Sequence, residues 1–274
     1  MFAWFSAGTL GALLLAGCGR EVEPGATEVL EQIYQLEPTA RLTIHNLSGS
    51  ISVRGADTTE MKLQATKKAA NVAQLKEINI RVAANSDSVS ISTSVLPQKK
   101  RSLLSGTGTV DYVLVVPRTI EIARLDLDDG TVLIEGMEGQ DIRANVVDGQ
   151  LTVRNCCGNI HAAIAKGDLD LSYQDCARHS FLTDAQVIDG NARISIAHGA
   201  SFRVRARTST GKIASDFVDM VQVNSRLLQK IDMSVGSNAR SQLAVRVTTG
   251  DITIAAVGPQ SVTGQTTASS AGSE

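Results

Sequence analysis

The chain has little aromatic side chain: of 274 residues, one is tryptophan, three are tyrosine and five are phenylalanine. Three of these, Phe2, Trp4 and Phe5, fall in the first five positions, so the rest of the chain has no tryptophan. An aromatic platform for stacking on sugar rings or nucleobases is therefore missing. No excess of one charge is present either. With 26 basic and 28 acidic residues the net charge is -2, which provides no overall field to gather nucleic acid. No apolar run is long enough to span a bilayer as a helix; the longest candidate, Leu10 to Ala16, is far too short. No nucleophile elbow singles out a serine, and Gly106-Thr107-Gly108 is too short for a phosphate-cradling loop, so no cofactor is expected.

Met1 to Gly17 carries no charged side chain and reads as a signal peptide. Leu15-Ala16-Gly17-Cys18 resembles the lipobox of bacterial lipoproteins. That resemblance implies diacylglycerol on the Cys18 thiol, cleavage before it, and a membrane partner held through the lipid. The usual Lys or Arg ahead of the apolar run is absent. Residues 18–27 then form a polar lipidated tether, and Gly258 to Glu274, mostly small and polar, reads as a disordered tail. The expected location is the cell envelope, at the outer membrane facing the periplasm if the host is Gram-negative.

Between these ends the chain repeats. Gly49, Gly130, Gly149, Gly167, Gly190, Gly211 and Gly250 each precede an alternating apolar stretch, and most follow another. Leu151 and Val153 follow Gly149, for example, and Ile142, Ala144 and Val146 precede it. From Gly130 the glycines are spaced by 19, 18, 23 and 21 residues, and the 39 from Gly211 to Gly250 is close to two such units. Strand, glycine turn, strand at a period near 20 predicts an all-β fold, a β-solenoid of stacked coils over residues 118–257. An up-and-down antiparallel sheet is the competing architecture. Within an N-terminal β region of residues 28–117, the stretch from Ala56 to Pro117 breaks the period. A short helix is predicted within Lys67 to Glu77, strands at 78–82, 89–95 and 110–116, and an exposed loop from Pro97 to Thr109. This irregular β region is expected to cap one end of the stack, where an open edge would invite aggregation.

The units Leu42-Thr43-Ile44-His45-Asn46 before Gly49-Ser50-Ile51-Ser52-Val53, with Asp111-Tyr112-Val113-Leu114-Val115-Val116-Pro117 ahead of the repeats, resemble the bacterial adhesin-like family of β-strand-repeat domains, domain of unknown function 4097, over about residues 28–257. The resemblance implies an envelope-associated β-solenoid and brings no catalytic residues with it.

Two constellations could carry chemistry. Asp129, Asp148 and Asp189 precede repeat glycines while Asp168 and Asp251 follow them, so stacking would align carboxylates into a ladder of oxygen ligands for Ca²⁺ or a polysaccharide-active site. The plainer reading is that Asp and Gly suit a tight turn, and no metal site is assigned. Cys176 lies one coil beyond Cys156 and Cys157. In an oxidising compartment this predicts a Cys157–Cys176 disulfide, with Cys156 as the alternative partner. Buried free thiols, or a zinc site from Cys157, His161, Cys176 and His179, are the other readings. The composition and repeats together favour a non-enzymatic envelope scaffold or adhesin-like surface for an envelope protein or matrix partner. The alternatives are a polysaccharide-active β-helix enzyme or a regulatory lipoprotein.

Overall fold

A strand keeps every second side chain on one face, so buried residues separated by an odd interval mark a place where the backbone has turned. In the repeats that place is the glycine. At Gly149 the buried residues run Ile142, Ala144, Val146 and then Leu151, Val153. The same offsets, three residues before the glycine and two after, recur at all seven repeat glycines, for example Ile164 and Leu169 about Gly167 and Val247 and Ile252 about Gly250. Each coil is thus two strand limbs meeting at a glycine corner, both limbs directing Ile, Val, Leu and Ala inward.

The computed structural model describes residues 25–95, 108–138, 141–174, 180–217, 222–225, 228–237 and 239–258. Among them the elements are β1 (Ala26–Gln35), β2 (Arg41–Ala56), β3 (Glu60–Ala69), α1 (Val72–Glu77), β4 (Ile78–Ala84), β5 (Ser88–Val95), β6 (Thr109–Pro117), β7 (Glu121–Glu135), β8 (Ile142–Arg154), β9 (Asn159–Tyr173), β10 (Leu182–Asp189), β11 (Ala192–Ala197), β12 (Phe202–Thr210), β13 (Ile213–Ser215), β14 (Gln222–Ser225), β15 (Leu228–Val235), β16 (Ser241–Thr249) and β17 (Ile252–Val257). The predicted helix is real but shorter. Lys67 and Lys68 belong to β3, where they pair with both β1 and β6, and the helix starts only after Asn71, whose side chain accepts the N–H of Gln74.

The coils stack in parallel and in register: β2 on β7, β7 on β8, β8 on β9, with Gly49, Gly130, Gly149 and Gly167 directly opposite one another. Beyond β9 the order departs from the chain. First limbs continue β9, β10, β16, β12, and second limbs continue β9, β11, β17, β13. The coil of Gly250 therefore sits between those of Gly190 and Gly211. The 39-residue step is one coil plus an inserted hairpin, β14–β15, rather than two coils. β15 runs antiparallel along the outer edge of β12, and the chain then returns to the inner edge as β16.

Antiparallel strands cover both ends. At the near end β5 and β6 lie parallel to the two limbs of β2, and β4, β3 and then β1 add antiparallel to them; at the far end β15 and β14 do the same. One hydrophobic core runs from Leu36 to Ile254 on both sides of residue 117. Of the aromatics among the described residues, Tyr112, Tyr173, Phe181 and Phe202 are buried in it, and Tyr34 and Phe217 pack against it partly buried. Tyr173 stacks on Phe181 at 4.2 Å between ring centroids and its hydroxyl meets that of Thr183, closing the coil at the longest of the single-coil steps.

Candidate binding surface and the coil corners

At Gly149 φ is 139°, a region open to glycine, and a Cβ placed there would lie 1.8 Å from the carbonyl oxygen of Gly130. The glycines let neighbouring backbones touch. The same bend interrupts the regular ladder, and side chains next to the glycines supply what it loses. Asp168 Oδ1 accepts the N–H of Asn191 at 2.9 Å, Asn191 Oδ1 accepts that of Asp251 at 3.0 Å, and Asp251 Oδ1 accepts that of Lys212 at 2.7 Å. At the opposite end Asp111 Oδ1 accepts the N–H of Ser50 at 2.9 Å. Each oxygen reaches one coil along the stack and fills a donor the corner would leave unpaired.

The carboxylates before the glycines do not form an unbroken ladder. In stacking order they read Ser48, Asp129, Asp148, Lys166, Asp189, so that Ser48 donates to Asp129 and Lys166 pairs with Asp148 at 3.3 Å. Among the described residues no three His, Cys, Asp or Glu side chains gather as a metal-binding group. Nothing in the sequence alone marks Asn191 and Asp111 as corner acceptors, except that Asn191 shares with Asp168 and Asp251 the place directly after a repeat glycine.

The three candidate thiols of the repeat region fall differently. Cys156 is buried and free, its Sγ 3.2 Å from the carbonyl oxygen of Arg154, and burial pushes its pKa up to about 11. Cys157 packs against the same core, partly buried, and is disulfide-bonded. Cys176 and His179 lie outside the described residues, as do Cys18, the signal segment, most of the tether and the tail beyond Gly258. His161 is on the outer face of the first limb of β9, opposite Arg143 of β8 and Asp184 of β10.

That outer face carries a feature invisible to a linear reading. Two shallow hollows, of about 510 and 220 Å³, share His161, Asp184 and Arg246 and so form one trough across the first limbs. Its walls hold five arginines, Arg124, Arg143, Arg203, Arg205 and Arg246, against a single carboxylate, Asp184. Small side chains at Ala123, Ala163 and Ala244 make the floor. Each arginine has a carboxylate partner: inside the trough Arg246 takes Asp184 at 2.8 Å, and at the margins Arg203 takes Asp232 with two nitrogens at 3.1 and 3.3 Å, Arg205 reaches the same Asp232 at 3.8 Å, Arg143 takes Asp141 at 3.4 Å and Arg124 takes Asp126. Beside the trough Arg207 stands directly opposite Arg246 on one side and Lys230 on the other, and has no carboxylate partner among the described residues. Like charges face to face on neighbouring strands are unfavourable, so this row is a local cost of the fold.

A parallel β-solenoid with polar corners, covered ends and one arginine-lined face is the class of protein that fold and surface define. The chain matches the Toastrack DUF4097 family over residues 32–255 and belongs to it. Among solved structures it is similar to a cell-adhesion protein candidate from Clostridium sporogenes, at 12% identity and a TM-score of 0.51, covering 84% of this chain and 100% of that one. At that identity the likeness shows the fold. A candidate adhesin from Bacteroides fragilis aligns over 84% of this chain and 97% of its own at 9% identity, with a TM-score of 0.29, too low to carry a structural comparison. No curated protein matches the chain.

Proposed function

We propose that the chain is a non-enzymatic cell-envelope lipoprotein, tethered through lipid on Cys18, whose coil stack displays the outer first-limb face as a binding surface. The observation that carries this reading is the use made of the corner residues. Asp168 and Asp251, two of the five turn carboxylates that the sequence offers for metal or acid–base chemistry, each accept a backbone N–H of the next coil, and Asp148 of the same set is paired with Lys166. What faces solvent on the first limbs is a sheet face carrying a row of exposed arginines, several of them paired with carboxylates. Family membership and the cell-adhesion description of the Clostridium sporogenes neighbour accord with this reading. Cys176 is the proposed disulfide partner of Cys157, which would tie the segment after β9 to the turn after β8.

Metabolic labelling with a fatty acid, followed by envelope fractionation, tests the anchoring. The wild-type chain should take up label and sediment with membranes, and Cys18→Ala should do neither. Equal labelling of the two would end the lipoprotein reading. In the same material, non-reducing peptide mapping should recover Cys157 linked to Cys176, and alkylation of Cys176 before reduction would rule that pairing out.

A further inference from the structure

Resting on the binding-surface reading above, we infer that the trough on the first-limb face takes an acidic polysaccharide, a chain bearing carboxylates on its sugar rings. Three features select this ligand. The first is charge: the five trough arginines each have a carboxylate neighbour, but Arg207 beside them has none among the described residues and faces Arg246 and Lys230, which leaves the face with more cations than carboxylates. An arginine fork binds a carboxylate through two parallel hydrogen bonds. The row Arg246, Arg207, Lys230, unfavourable in the free protein, is relieved by an anion laid across it.

The second feature is what lies between the cations. Along one row across the strands the residues read Arg143, His161, Asp184, Ala244, Arg205, Asp232. The two arginines are held apart by His161, Asp184 and Ala244 and the row ends on a second carboxylate, Asp232, so the cations are spread out rather than massed, a pattern that suits a sparsely charged chain. A densely charged phosphate chain would meet Asp184 in the middle of the trough. Gln186 and Gln242, both exposed, are the amides placed to read sugar hydroxyls as donors and acceptors.

The third feature is the missing aromatics. None lines the trough, so neutral sugars and unstacked bases have nothing to stack on, and affinity must come from the ion pairs. Val147 and Ile188, half exposed on the same face beyond Asn145 and Gln186, offer the apolar contact for ring faces instead.

The test uses the full chain in detergent micelles, with polygalacturonate as the probe and dextran and inorganic polyphosphate for comparison. Polygalacturonate should bind, more weakly as salt rises; dextran should not bind, and polyphosphate should bind less tightly than polygalacturonate. Combining Arg143→Glu with Arg246→Glu should weaken binding roughly tenfold or more, an expectation in line with loss of charge-paired contacts. Arg205→Gln, which reverses no charge, should weaken it less, and Arg193→Glu on the second-limb face should change nothing. Circular dichroism of each variant keeps loss of binding apart from loss of fold. No binding of polygalacturonate by the folded wild-type chain overturns the inference. So does unchanged binding by the folded trough variants, or tighter binding of polyphosphate. A protein captured on this same face in intact envelopes would overturn the polysaccharide and leave the binding-surface reading standing.

Discussion

Asp168 separates a structural carboxylate from a chemical one, because its neighbour in the corner series, Asn191, does the same work without a charge. Asp168→Asn keeps an oxygen for the N–H of Asn191 and should melt close to the wild type. Asp168→Ala leaves that donor to solvent and should lose about 1 kcal/mol, the size of a lost cap. Urea denaturation of the two variants decides it, and equal losses would show that charge rather than the acceptor oxygen matters there. Asp111 is the corner residue for which charge does count. Burial works to raise its pKa, but hydrogen bonds from Lys68 and Ser50 and the Lys68 charge outweigh it and hold the carboxyl below the usual range. A folded pKa below the unfolded one gives stability that is present above about pH 4 and is lost as the pH falls through the folded value. The urea midpoint should therefore drop on acidification below about pH 4, and Asp111→Asn should flatten that drop while lowering the midpoint at neutral pH.

At the scale of the element, the glycine corner is the unit the chain repeats, and it was legible because its requirements are local. A positive φ, an inward residue three before and another two after leave a pattern in the sequence itself. Gly149→Ala should cost about 2–4 kcal/mol, since the new Cβ meets the backbone of the adjacent coil as well as a disfavoured φ; thermal melting against Gly199→Ala, where a Cβ meets nothing within 4 Å, checks it. If both variants melted alike, close stacking of the corners would be the wrong account. Two other features of the elements did not show in the sequence. The coil order was hidden because a 39-residue step fits two coils as well as one coil and a hairpin, and only the pairing of β12 with β15 and β16 distinguishes them. The polar residues Asn46 and Thr208 break the apolar pattern at the position three before the glycine. They lie in the first and last glycine-cornered coils, and each donates to the carbonyl against which its own glycine packs, Val110 and Gly250.

The trough exists only at the scale of the whole molecule. Arg203, Arg205 and Arg207 are visible as the outward half of an alternating strand, yet nothing in the chain order places Arg246 between them and Asp184; the insertion of the Gly250 coil does that. For this reason the sequence supported a repeat scaffold and left its working face open, while two of the turn carboxylates it offers, Asp168 and Asp251, serve the fold. A photo-crosslinking residue placed at Gln186 on the first-limb face, and separately at Ser195 on the second-limb face, tests the claim in intact envelopes of cells carrying the full chain. Capture of an envelope component from Gln186 and none from Ser195 is the expected result. Capture from Ser195 alone, or from neither position, would contradict a binding surface on the first limbs.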